Sequence, residues 1–152
     1  SEPGDFVDKE GKVLGRHKGQ IHYTIGQRRG LGIAAPESLY VCGKSLDTNK
    51  VILGGKDDLM SNYCYINDIN LIPWDHMDKP IQCKVKTRYR QPEQPATVEQ
   101  LGEDLIRITF QEPQRAVTPG QAAVLYDGDM VLGGGTILSE EAARTLTASS
   151  EE

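Results

Sequence analysis

Cysteine is scarce in this chain. Cys42, Cys64 and Cys83 are odd in number, far apart and never in a CxxC pair, so neither a disulfide framework nor a zinc site is expected. Each lies among apolar neighbours, as in Tyr40-Val41-Cys42 and Ile81-Gln82-Cys83, which favours buried structural thiols over catalytic ones. Long apolar runs are missing too: none approaches the roughly 20 residues that cross a bilayer. The opening Ser1-Glu2-Pro3-Gly4-Asp5 has neither the basic nor the apolar region of a signal peptide. A cytoplasmic protein with no membrane partner is the expectation.

Catalytic apparatus is equally thin. The sequence offers no nucleophile with its base, no supported carboxylate pair and no nucleotide loop. The glycine-rich stretch near Gly26 is not closed by Gly-Lys-Ser/Thr, and it lacks the strand, helix and later acidic residue of a dinucleotide site. His17 and His22 have no third ligand at metal spacing. The chain is expected to bind no cofactor or metal and to contribute no catalytic residue.

What is present suits a small soluble β protein. The 152 residues allow one ordinary domain or two small ones, and 38% hydrophobic with 26% charged residues is a globular composition. The net charge of −5 owes much to residues 139–152, where Glu140, Glu141, Glu151 and Glu152 face only Arg144. This segment reads as a disordered or weakly helical acidic tail. Cations cluster instead at residues 16–29 and 84–90. The distribution, more than the sum, decides whether RNA is a partner, and it leaves RNA open.

Strand and turn signals dominate. Hairpins are expected at 6–14, around Asp8-Lys9-Glu10-Gly11, and at 39–53, around Asp47-Thr48-Asn49. One or two helical turns are possible at 19–25, and a short one at 56–60. A strand at 63–71 is followed by Pro73-Trp74-Asp75-His76 and Pro80, a prolyl, polar stretch that reads as a domain boundary. Further strands are expected at 81–89, 96–101, 105–110, 122–126 and 130–138, the last two joined by Asp127-Gly128-Asp129. Short strands at this spacing without helices between them indicate a small barrel. The expected organisation is mainly β: a β-rich domain over residues 1–73, a barrel over 74–138 and the tail over 139–152.

Three segments are candidates for function. In the strand at 81–89, Ile81, Cys83, Val85, Thr87 and Tyr89 alternate toward the core, while Lys84, Lys86, Arg88 and Arg90 form an outer cationic row. Residues 79–91 contain no acidic side chain. Such a row fits a phosphate backbone, and equally a solvated strand face protected against edge pairing. Tyr89, close to Pro92, could also leave the core face to stack. The second segment, 16–33, joins cations to glycines at Gly26, Gly30 and Gly32, which permit close backbone approach or simply shape a loop. In the third, Pro119-Gly120 suits the centre of a type II turn, from which Gln121 emerges either toward a ligand or to satisfy nearby backbone. Gly133-Gly134-Gly135 reads as close packing or a barrel bend.

Together these segments resemble the tRNA-specific 2-thiouridylase family. The phrases are Gly11-Lys12-Val13-Leu14-Gly15-Arg16-His17-Lys18-Gly19, Tyr23-Thr24-Ile25-Gly26-Gln27-Arg28-Arg29-Gly30-Leu31-Gly32-Ile33, Lys86-Thr87-Arg88-Tyr89-Arg90-Gln91, Pro113-Gln114-Arg115-Ala116-Val117-Thr118-Pro119-Gly120-Gln121 and Leu132-Gly133-Gly134-Gly135. They occur in the family's order over residues 4–138. The resemblance implies a β-rich central domain and a translation-factor-like β-barrel that follow an ATP-pyrophosphatase domain. Such an enzyme adenylates the 2-oxygen of the wobble uridine of tRNA and replaces it with sulfur from a cysteine persulfide. ATP with Mg, the sulfur-donor protein and both catalytic cysteines are implied for the domain upstream. Cys42, Cys64 and Cys83 match neither catalytic cysteine, so this chain alone is expected to be inactive. The implied tRNA contacts are Arg88, Tyr89 and Gln121. Gln27, Arg28, Arg29, Lys86 and Arg90 are further candidates for contact with tRNA or with the chain's own catalytic domain. The other classes open to the residues are a stand-alone RNA-binding or translation-factor-like module and a small-ligand-binding barrel.

Overall fold

The computed structural model describes residues 2–150, which form two compact units divided in sequence between Met60 and Ser61. The first is built on a four-stranded sheet. The Asp8 carboxylate accepts the amides of Glu10 and Lys12, and Gly11 takes φ 90°, closing the turn between β1 (Gly4–Val7) and β2 (Val13–His17). A second hairpin joins β3 (Tyr40–Ser45) to β4 (Lys50–Gly54), with Asn49 at φ 53°. β1 pairs β4 in parallel, which gives the order β2-β1-β4-β3. Phe6, Tyr23, Val41, Val51 and Leu53 form the core of this unit, with Leu31 reaching it from the long β2–β3 connection. His17 is buried there: its Nδ1 accepts the Gly19 amide at 2.9 Å, so Nε2 carries the proton given to the Asn49 carbonyl at 2.8 Å. A Cβ at Gly4 would meet that same carbonyl. The short helical turns expected here are 3-10 turns at Gln20–His22 and Lys56–Leu59.

The second unit is a closed six-stranded barrel. Its strands are β5 (Met60–Leu71), β6 (Ile81–Lys86), β7 (Gln94–Gly102), β8 (Leu105–Arg115), β9 (Ala122–Asp127) and β10 (Met130–Ile137). The order is β10-β5-β8-β7-β6-β9, and β9 pairs β10 to close it. Alternation fills the interior with Ile66, Val85, Val98, Ile106, Ile108 and Leu125. Each contributes about 1.5–3 kcal/mol by leaving water. The glycine triplet is a site of close packing: a Cβ at Gly133, Gly134 or Gly135 would strike the carbonyl of Asn70, Ala123 or Asn67. β10 bulges on both sides at this point.

Two expectations change, and one, the tail, is narrowed to its helical alternative. The unit boundary falls at Met60/Ser61, ahead of the strand at 63–71 and not after it at residue 73. That strand is β5, whose Cys64 and Ile66 point into the barrel core. The prolyl stretch after it is a connection inside the barrel, held where Met77 is buried and gives its amide to Gln100 Oε1 at 2.8 Å. Proline punctuated a loop there, and strand pairing decided which unit the loop served. The acidic tail is α1 (Glu140–Ser150), begun by the Ser139 hydroxyl accepting the Ala142 amide and packed through buried Ala143; residues 151–152 lie outside the described residues. Finally, β6 ends at Lys86 rather than 89, because the chain turns there.

Candidate nucleic-acid interface

The alternation expected along 81–89 holds as far as Thr87. Val85 and Thr87 are buried, while Gln82 and Lys84 face outward. The chain then folds into a four-residue turn in which the Gln91 amide donates to the Arg88 carbonyl at 3.3 Å. Tyr89 and Arg90 occupy the corners, where side chains are thrown outward, and Tyr89 is 93% exposed. Tyr89 therefore leaves the core face, because the strand's alternation stops two residues before it. An aromatic ring this exposed leaves both faces open for stacking.

Arg88 links this turn to the next segment. Its Nη2 donates to the Ala116 carbonyl at 3.0 Å, and Thr118 Oγ1 donates to the same oxygen at 2.9 Å. Ala116 is buried with φ 52°, a left-handed kink that aims its carbonyl at the guanidinium. Two residues further on, Thr118-Pro119-Gly120-Gln121 closes as the expected type II turn, with Gly120 at φ 89° and the Gln121 amide on the Thr118 carbonyl. The Gln121 backbone amide and carbonyl are both engaged, the carbonyl accepting from Ile137, and its side chain is exposed. Arg88 and Tyr89, more than thirty residues before Gln121 in sequence, thus belong with it to two turns tied together at one end of the barrel.

Several cations lie in these segments. Lys84 and Lys86 share the outer face of β6, and Lys86 Nζ lies 6.0 Å from the centroid of the Tyr126 ring. Arg90 and Arg115 are exposed near by in sequence. Among the described residues none of Lys84, Lys86, Arg88, Arg90 and Arg115 enters an ion pair; the pairs formed use Lys9, Arg16, His76, Arg107 and Arg144. The expected row of four is cut short, since only Lys84 and Lys86 lie on the strand and Arg88 and Arg90 belong to the turn. Cations without ion pairs beside an exposed aromatic ring are still able to hold phosphates and stack a base.

The first unit holds the other candidates. Gln27 braces its own loop: its Oε1 accepts the Thr24 amide at 3.0 Å and its Nε2 donates to the Arg29 carbonyl at 2.8 Å. The Gly26 amide and Gln27 carbonyl both bond Val41, which fixes the loop to β3. Gly26, Gly30 and Gly32 all take positive φ. Arg28 and Arg29 project from the loop and are exposed. Arg28 also lines an open groove of about 600 Å³ with Leu31, Ile33, Pro36 and Leu39.

The cysteines are poor nucleophiles. Burial pushes the thiols of Cys42 and Cys83 up to about 11 and that of Cys64 to about 12, so the thiolate is rare near neutrality. No group of three His, Cys, Asp or Glu side chains able to hold a metal occurs among the described residues. No described helix is long and apolar enough to cross a membrane.

Sequence reasoning gave no role to Gln91 or Gln114. The Gln91 amide donates to Gln114 Oε1 at 2.8 Å, joining the same two segments that Arg88 joins. Both glutamines stand in the quoted phrases, but no local spacing marks two residues so far apart as partners.

Comparison with known proteins agrees with this division. The family described as an aminomethyltransferase beta-barrel domain matches residues 61–137, and the tRNA methyl transferase PRC-barrel domain matches residues 1–55. A tRNA-specific 2-thiouridylase of Carboxydothermus hydrogenoformans is 45% identical over 136 residues, covering 90% of this chain and 37% of the relative. Those of Trichormus variabilis and Picosynechococcus sp. are each 49% identical, covering 88% and 92% of this chain and 38% and 40% of their own lengths. The chain therefore spans only some two fifths of the curated relatives it matches.

Proposed function

Since this chain belongs to the tRNA-specific 2-thiouridylase family, we propose that it is the tRNA-docking part of such an enzyme, gripping RNA with the barrel end that carries Arg88, Tyr89 and Gln121. The observation that carries this reading is the tie between the two turns through Arg88 and the Ala116 carbonyl. It gathers a charged fork, an exposed ring and an exposed amide from two separate parts of the sequence, beside cations that enter no ion pair among the described residues. Arg88 and the Lys84–Lys86 row hold phosphates, Tyr89 stacks on a base freed from its neighbours, and Gln121 contributes donor and acceptor together. Arg90 adds charge at the rim. Arg28 and Arg29 form a second basic point for tRNA or for the enzyme's catalytic domain, and Gln27 shapes the loop that presents them.

In the full-length protein, ATP with Mg and a persulfide donor serve a separate catalytic domain. That domain activates the 2-oxygen of the wobble uridine and exchanges it for sulfur, in the cytoplasm where tRNA is used. This chain supplies binding and orientation, and by itself catalyses no thiolation. Titration of the chain with tRNA at several salt concentrations tests the reading. Binding should weaken steeply with salt, with a log–log slope of about −0.7 to −0.9 per phosphate contacted. Tyr89→Ala and Gln121→Ala should each weaken binding by about three- to tenfold, as expected for losing a stacked base or a hydrogen-bonded contact. Affinity unchanged in both variants would remove this end of the barrel from the interface.

A further inference from the structure

We propose that Gln91 and Gln114 are positioning residues that hold the Arg88–Tyr89 turn in its RNA-competent shape through a directional chain of side-chain amides. The inference rests on the function proposed above and adds the device that orders its contact residues. Thr87 Oγ1 donates to Gln91 Oε1 at 3.3 Å, Gln91 Nε2 donates to Gln114 Oε1 at 2.8 Å, and Gln114 Nε2 donates to the Glu112 carbonyl at 2.9 Å. Every amide in the chain gives one bond and takes one. Rotating either amide by half a turn would set oxygen against oxygen or nitrogen against nitrogen, so the chain has a single direction.

Its location sets it apart. Among the described residues of the barrel unit, the buried polar side chains are Thr87 and Gln114, and both belong to this chain. Burying an amide is costly unless it is bonded, and an apolar side chain at the same place would fill the space more cheaply. What a satisfied polar chain supplies that an apolar filling does not is one defined geometry. The turn has need of it. Its own closing bond, from the Gln91 amide to the Arg88 carbonyl, is long at 3.3 Å, and Tyr89 at its corner is 93% exposed and gains no packing. Two ties bind it to the end of β8 and the segment beyond: Arg88 to the Ala116 carbonyl, and Gln91 to Gln114. The first engages a group that RNA must also use. The second leaves the contact residues free, and so orders the turn before RNA arrives.

Gln114→Leu in the 152-residue chain breaks the amide chain while keeping its volume and the net charge. Three readouts are needed: amide hydrogen exchange over residues 88–91, tRNA affinity with its salt slope, and the same change in an Arg88→Ala/Tyr89→Ala background. Exchange of the Gln91 amide should speed up, and tRNA should bind about tenfold more weakly, because ordering the turn is then charged to binding. The salt slope should stay as in the parent chain, since no cation is lost. In the background lacking Arg88 and Tyr89 the same substitution should change affinity by less than about twofold. An undiminished loss in that background overturns the positioning role, as does normal exchange with normal affinity. Should Gln114→Leu fail to fold, Gln91→Leu at the half-buried partner gives the same readouts. Should the parent chain bind no tRNA, the proposed function fails, and the positioning role stands or falls on whether exchange over 88–91 quickens.

Discussion

Arg88→Lys separates what the guanidinium does from what its charge does. Arg88 gives one of its five donors to the Ala116 carbonyl at 3.0 Å, and the rest of the fork remains for RNA. A lysine ammonium is a single point on a flexible stem, so it caps that carbonyl or reaches a phosphate but does not hold both in fixed geometry. A hydrogen bond to a charged group is worth about 1.5–3 kcal/mol, and exposure at this position reduces that to about 1 kcal/mol. Fold stability should barely change, because Thr118 Oγ1 still satisfies the Ala116 carbonyl. Affinity for tRNA, measured by fluorescence anisotropy at fixed salt, should fall about fivefold. The salt slope should be that of the parent chain, since the cation is kept. Arg88→Ala should both weaken binding further and flatten the slope by about 0.7–0.9. If lysine binds as well as arginine, the tie to Ala116 positions nothing. If the alanine variant keeps the full slope, Arg88 touches no phosphate.

Two further expectations concern the fold and the thiols. Asp104, in the β7–β8 turn, accepts the amides of Asp68 and Ile69 at 3.1 and 2.8 Å and so clamps a β5 kink in which Asp68 has φ 51°. Asp104→Ala should cost about 1–2 kcal/mol after allowance for exposure, or a melting midpoint about 4–15 °C lower, and an unchanged midpoint would show that the kink needs no clamp. With their thiols raised from 9.0 to about 11, Cys42 and Cys83 should alkylate at pH 8 about a hundredfold more slowly than in the urea-unfolded chain, and rates should climb with pH toward 11. Rapid modification of the folded chain at pH 8 would contradict their structural role.

Much of this architecture could be read locally, for physical reasons. Hairpins around Asp8 and Asn49, the Pro119-Gly120 turn and the alternation of Val85 with Lys84 and Lys86 depend on neighbours within a few residues, where backbone sterics and strand periodicity act. The ordered phrases shared with the 2-thiouridylase family likewise lie within continuous stretches of chain. Tertiary structure decided the rest. Whether the strand at 63–71 closed the first unit or the second depended on which strands it paired with, and pairing with β10 is a long-range choice that Pro73 does not reveal. Tyr89 was expected on the core face until the turn at Arg88 ended the alternation. Arg88, Tyr89 and Gln121 were each legible as residues, but their assembly was not. It depends on Ala116 in a left-handed conformation and on an amide chain from Thr87 to Glu112, contacts between the turn after β6 and the end of β8 that no sequence period connects.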